Sequence, residues 1–127
     1  MRNRGFSLIE LLIAIVVVGV LAAIALPAYT SQLRKSARAE AQSVMTTAAG
    51  NQQQYLLNRR AYAPSFVALN VTVPADLNGK YTFTVVAAGG PPPTFTLTAT
   101  AIGAQAKDAC PTMFIDSAGN RTPPACW

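Results

Sequence analysis

Residues 6–28 read FSLIELLIAIVVVGVLAAIALPA, an apolar run broken only by Ser7, Glu10, Gly19 and Pro27. At about 1.5 Å per residue, a helix over this stretch is roughly 34 Å long and can cross a hydrocarbon core of about 30 Å. A secretory signal would carry an apolar region of roughly 7–15 residues ending at a small-x-small cleavage site. This run is longer, follows the short basic stretch Met1-Arg-Asn-Arg-Gly5, and reads as a signal anchor.

Outside that run the apolar share falls to about 45 %, ordinary for a water-soluble module. The whole chain is 51 % hydrophobic and 12 % charged, with ten Lys and Arg against five Asp and Glu, two Cys and no His. Without histidine, the commonest general base and zinc ligand is missing, and two cysteines cannot build a four-thiolate site. No phosphate loop, nucleophile with a recognisable base or paired carboxylates stand out. The chain therefore reads as a non-enzyme with no cofactor and no metal.

Glu10 is the exception within the span. A carboxylate inside an apolar segment costs a few kcal/mol on insertion scales and usually has a partner. One reading is a side chain solvated near the headgroups; the other is a charge awaiting a cation from another molecule.

The stretch Arg4-Gly5-Phe6-Ser7-Leu8-Ile9-Glu10-Leu11-Leu12 resembles the class III signal of type IV pilins and of type II secretion pseudopilins. The resemblance implies that a prepilin peptidase removes residues 1–5 by cutting between Gly5 and Phe6, and that Phe6 is then N-methylated. Cleavage removes Arg2 and Arg4, so the formal charge falls from +5 to +3, and it creates an ammonium at Phe6. Glu10 of one subunit can then pair with the N-terminus of a neighbour during assembly, which offsets the desolvation of both charges.

Beyond Pro27 the pattern becomes striped, with Tyr29, Leu33, Ala37, Ala41, Val44, Ala48 and Tyr55 on one helical face. The helix is expected to run from residue 6 to about residue 58, as a transmembrane or filament-core half over 6–28 and an amphipathic half over 29–58. Gly19 and Pro27 are its weak points, because Gly costs about 1 kcal/mol inside a helix and Pro removes a hydrogen bond. They read either as a tolerated kink or, as the resemblance implies, as the bounds of a segment that unwinds in filaments. The cluster Arg34, Lys35 and Arg38 reads as a solvated or headgroup-facing surface, with pairing to neighbouring subunits as the alternative.

Residues 59–80 read as a connecting loop, and Asn78-Gly79 as a turn. Within 81–127, residues 81–85 and 94–100 alternate as strands, Gly89-Gly-Pro-Pro-Pro93 joins them, and 113–115 forms a short third. The fold class expected is α+β, a pilin fold in which the long N-terminal helix packs on an antiparallel sheet of three to four strands. Cys110 and Cys126 lack a CxxC spacing and read as a disulfide closing a C-terminal loop, which resembles the disulfide-bounded region of pilins. Such a bond persists in an oxidising compartment, which places the distal module outside the cytoplasm where the positive-inside rule alone decides nothing. The segments Asn51-Gln-Gln-Gln-Tyr55, Arg59-Arg60-Ala-Tyr62 and Cys126-Trp127 resemble small and minor PilE-like pilins. Trp127 reads as a cap on the disulfide or as an exposed contact aromatic.

The function expected is a structural subunit, major or minor, of a type IV pilus serving adhesion, twitching motility or DNA uptake. It would insert in the inner membrane as a single-pass precursor with a periplasmic module and finish in an extracellular pilus. Its partners would be membrane lipid, prepilin peptidase, the inner-membrane assembly machinery and other pilin subunits. Nucleic acid stays open as a partner, because no basic-aromatic array is evident. The alternative is a type II pseudopilin. That subgroup's major subunit commonly carries calcium where a C-terminal disulfide would be, and Asp108 and Asp116 are too few for such a cage.

Overall fold

The computed structural model describes residues 5–127, so residues 1–4 of the expected leader lie outside the described residues. Helix α1 (Leu8–Arg59) continues without a break through Gly19 and Pro27. Four strands follow: β1 (Tyr81–Ala88), β2 (Thr94–Ala101), β3 (Thr112–Asp116) and β4 (Arg121–Thr122). The chain divides into two compact units between Leu33 and Arg34.

In the first unit α1 begins with a cap. Ser7 Oγ accepts a hydrogen bond from the Glu10 N–H at 3.2 Å, and the Ser7 carbonyl accepts from the Leu11 N–H at 3.3 Å. Ser7-Leu-Ile-Glu10 is thus the S-x-x-E signature of a helix start, which satisfies one of the donors orphaned at a helix N-terminus. Tyr29 (65 % exposed) and Leu33 (51 %) also lie in this unit. This corrects the expected stripe, whose periodicity continues through residues that no core covers.

In the second unit the helix turns Ala37, Ala41, Val44, Met45, Ala48 and Gln52 inward. Ala37, Ala41 and Ala48 on that face are buried, and the flexible Met45 side chain, also fully buried, packs in the same core. The strands run as an antiparallel meander in the order β1-β2-β3-β4. Val85 opposes Leu97, which opposes Ile115, so three strands present one apolar row to the helix. The other face carries Thr82, Thr84, Thr94, Thr96, Thr98 and Thr100, because strict alternation sends every second side chain outward.

The 60–80 segment contributes Ala63, Leu69 and Leu77 to the core and includes a 3-10 turn at Ala75–Leu77. Tyr62 packs edge-on against Phe95, with ring centroids 4.7 Å apart, and Phe66 lies 5.5 Å from Phe83. Asn51 Nδ2 donates to the Leu69 carbonyl at 2.9 Å, tying the segment to the helix. A second 3-10 segment, Gly103–Lys107, lies between β2 and β3, too short to show a helical period in the sequence.

Candidate functional site: the exposed apolar helix and the disulfide-closed module

The first unit is unusual because none of its described residues is buried. Large apolar side chains from Phe6 and Leu8 through Ile13, Val17, Leu21 and Leu26 are all exposed. Burying one such side chain is worth about 1.5–3 kcal/mol, so an apolar sleeve of this size is a surface meant to be covered. Among the described residues α1 is the one helix long and apolar enough to cross a membrane. Glu10 is exposed on that sleeve as its one described carboxylate, and no cation of the described chain pairs with it. A Cβ added at Gly5 or at Gly19 would meet nothing within 4 Å, so the chain's own packing asks for glycine at neither position.

The second unit is held by polar pairs that join distant parts of the sequence. Arg38, 19 % exposed, donates to Asp108, 6 % exposed, at 2.9 Å. Asp108 Oδ2 also accepts from the Cys110 N–H at 3.2 Å. Arg38 is therefore neither a solvated cation nor free for a neighbour, because the Gly103–Lys107 segment delivers a carboxylate to it. Gln105 donates to the Arg34 carbonyl at 2.9 Å and to the Tyr81 hydroxyl at 3.1 Å. Burial pushes the Tyr81 hydroxyl above its ordinary pKa, and the Gln105 hydrogen bond opposes that shift.

Cys110 and Cys126 are disulfide-bonded, and Gln42 Nε2 on the helix donates to the Cys126 carbonyl. Trp127 is half-buried against the core, with the Arg121 guanidinium 5.1 Å above its ring. Asp116 accepts from the Ala118 and Asn120 N–H groups at 2.9 Å each and from Asn120 Nδ2 at 2.8 Å. The Asn120 side-chain bond leads the causes that hold its carboxyl below the usual range. Asp108 and Asp116 thus both have protein partners, and the described residues contain no cluster of three or more metal-binding side chains.

Sequence reasoning missed Ser7, Gln42, Gln52 and Gln105. Ser7 had a signal in the S-x-x-E spacing; the three glutamines had none, because their partners lie elsewhere in the chain.

Two family models match the chain. The prokaryotic N-terminal methylation motif covers residues 1–26, and the type IV minor pilin ComP, DNA uptake sequence receptor, covers residues 27–114. Fimbrial protein EcpC of Eikenella corrodens is 37 % identical over 84 residues, covering 66 % of this chain and 54 % of that protein. Type IV major pilin protein PilE1 of Neisseria gonorrhoeae is 38 % identical over 91 residues, covering 69 % of this chain and 41 % of that protein. The chain spans about half the length of the curated relatives it matches. A solved type IV pilin from Shewanella oneidensis shares the fold, with a TM-score of 0.59 at 23 % identity over 74 % of this chain and 97 % of that one. With the minor-pilin model covering well over half of its length and the methylation motif the residues before it, the chain belongs to the type IV pilin family.

Proposed function

We propose that this chain is a minor-type pilus subunit, cut between Gly5 and Phe6, N-methylated at Phe6, and assembled by packing its apolar helix half among copies of itself or other pilins. The observation that carries this reading is the sleeve of exposed apolar side chains bearing the single carboxylate Glu10. Lipid covers the sleeve before assembly and neighbouring helices cover it afterwards. Glu10 then pairs with the Phe6 ammonium of a neighbour and penalises any axial register that leaves it alone in an apolar setting. Because no packing contact asks for glycine at position 5, its presence there fits recognition of the Gly5-Phe6 bond by a peptidase. The disulfide supports a module exported to an oxidising space and favours a pilin over a pseudopilin.

Sheared surface filaments analysed by mass spectrometry should contain this chain beginning at N-methylated Phe6. Recovery of a chain beginning at Met1 overturns the processing scheme. Glu10→Ala should leave cleavage intact and reduce incorporation; filaments normal in number and content would remove the register role.

The description of the matched family adds contact with DNA as a second reading. Residues 34–127 favour it with eight Lys and Arg against four Asp and Glu. Arg59, Arg60, Lys80, Lys107 and Arg121 are all exposed.

A further inference from the structure

The amide-rich end of α1 lies in the second unit, apart in sequence from the apolar sleeve. Asn51, Gln54, Tyr55 and Asn58 recur at i, i+3, i+4 and i+7, which puts them on one helical face. Across from them runs Ala68-Leu69-Asn70, and together these residues line a cleft of about 250 Å³. Asn70 holds a left-handed backbone, φ 53°, at the end of that strip. Asn tolerates this conformation better than most non-glycine residues.

Little of the side-chain hydrogen-bonding capacity of the cleft is used within the chain. Gln42, Gln52 and Gln105, which turn toward the core, each have fixed partners. In the cleft Asn51 uses one N–H on the Leu69 carbonyl and keeps its Oδ1. Gln54, Asn58 and Asn70 enter none of the side-chain hydrogen bonds formed among the described residues. Each primary amide offers a carbonyl acceptor and two donors side by side. The half-buried Tyr55 ring adds an apolar wall and a hydroxyl. No carboxylate, Lys or Arg lines the space.

We infer that this cleft binds a neutral saccharide unit. Adjacent sugar hydroxyls present a donor and an acceptor together, the complement of a side-chain amide, and a pyranose has an apolar C–H face for an aromatic wall. The cleft lies below the roughly 300 Å³ at which drug-sized sites begin, so it takes one ring and leaves the rest of a glycan outside. The absence of a lining cation disfavours phosphate or sulfate groups, which would enter without a countercharge. The site is distinct from the apolar sleeve and from the Arg121–Trp127 end of the module.

The test is saturation-transfer difference NMR on the full chain in phosphocholine-detergent micelles, which carry no sugar headgroup. The probes are lactose, N-acetylglucosamine and methyl glucoside at millimolar concentration. Transfer to pyranose C–H protons is expected for at least one probe. Gln54→Ala with Asn58→Ala should weaken its binding by about tenfold or more. Both positions are exposed on a helix where Ala is a good former, and Asn70→Gly removes an amide while keeping the backbone, so loss in both variants with an intact helix signal locates the site. Transfer to none of the three sugars, or transfer that both variants retain, overturns the inference. So does selective binding of a deoxyadenosine oligonucleotide at these residues, since side-chain amides also pair with adenine.

Discussion

Gln52 has no exposed surface, and both ends of its amide are used on one residue. Its Nε2 donates to the Ala63 carbonyl at 3.0 Å, and its Oε1 accepts from the Ala63 N–H at 2.8 Å. The side chain acts as a short stretch of β-ladder, pinning the chain just after it leaves the helix. Gln52→Ala leaves a buried N–H and C=O without partners and opens a cavity, and should cost about 2–4 kcal/mol. Denaturant unfolding of the full chain in micelles checks this, and an unchanged midpoint would mean that solvent replaces the clamp. Gln52 sits within Asn51-Gln-Gln-Gln-Tyr55, where composition alone marks a polar surface; only the return of Ala63 makes its burial tolerable. Glu10 behaves in the opposite way, because its spacing in the chain carries both its cap to Ser7 and its isolation in an apolar run.

At the scale of elements, α1 shows how far periodicity can be trusted. Its apolar run, its stripe from Ala37 to Ala48 and its end near Arg59 were legible, because helix formation depends on neighbours three and four residues away. Tyr29 and Leu33 fit the same stripe and are nevertheless uncovered, since periodicity describes a face and not what lies opposite it. Pro27 stays within the helix, its missing N–H leaving the Ala23 carbonyl without its usual donor, while Thr30 Oγ1 donates to the Pro27 carbonyl at 3.0 Å. Pro is about 3 kcal/mol worse than Ala inside a helix. Pro27→Ala should therefore slow amide exchange of residues 23–31 by about tenfold or more, read by hydrogen–deuterium exchange in micelles. Equal exchange in both chains would remove Pro27 as a weak point and with it the proposed unwinding between Gly19 and Pro27. In the sheet, Thr94 to Thr100 announced β2 by alternation, whereas β4 is two residues long and too short to show any period.

At the scale of the whole molecule, charge and apolar surface are segregated along the chain. Phe6 to Leu33 expose an apolar sleeve, and residues 34–127 carry the excess of Lys and Arg. If the basic module contacts DNA, retention on purified filaments must fall with salt, because each neutralised phosphate releases condensed counterions. Contact with about four phosphates lowers the association constant by roughly two orders of magnitude between 50 and 200 mM salt. Salt-independent retention would exclude this electrostatic mode. Within the module, the disulfide and Gln42 hold the C-terminal residues, while Gln105 and the Arg38–Asp108 pair tie the β2–β3 connection to the helix, so a sheet with two short strands keeps a defined end.

Local patterning is enough to specify the long helix, the membrane-length apolar half with its lone carboxylate, and the inward and outward faces of β1 and β2. All of these follow from local sterics and from the contrast between apolar and polar side chains at fixed spacing. Which polar groups are buried and paired depends instead on the closed fold. Arg38 and Asp108 are 70 residues apart, Gln105 and Arg34 71, and Gln42 and Cys126 84. Pairings at such separations leave no periodic trace, because they form only when the closed chain brings a donor and an acceptor into a space that excludes water.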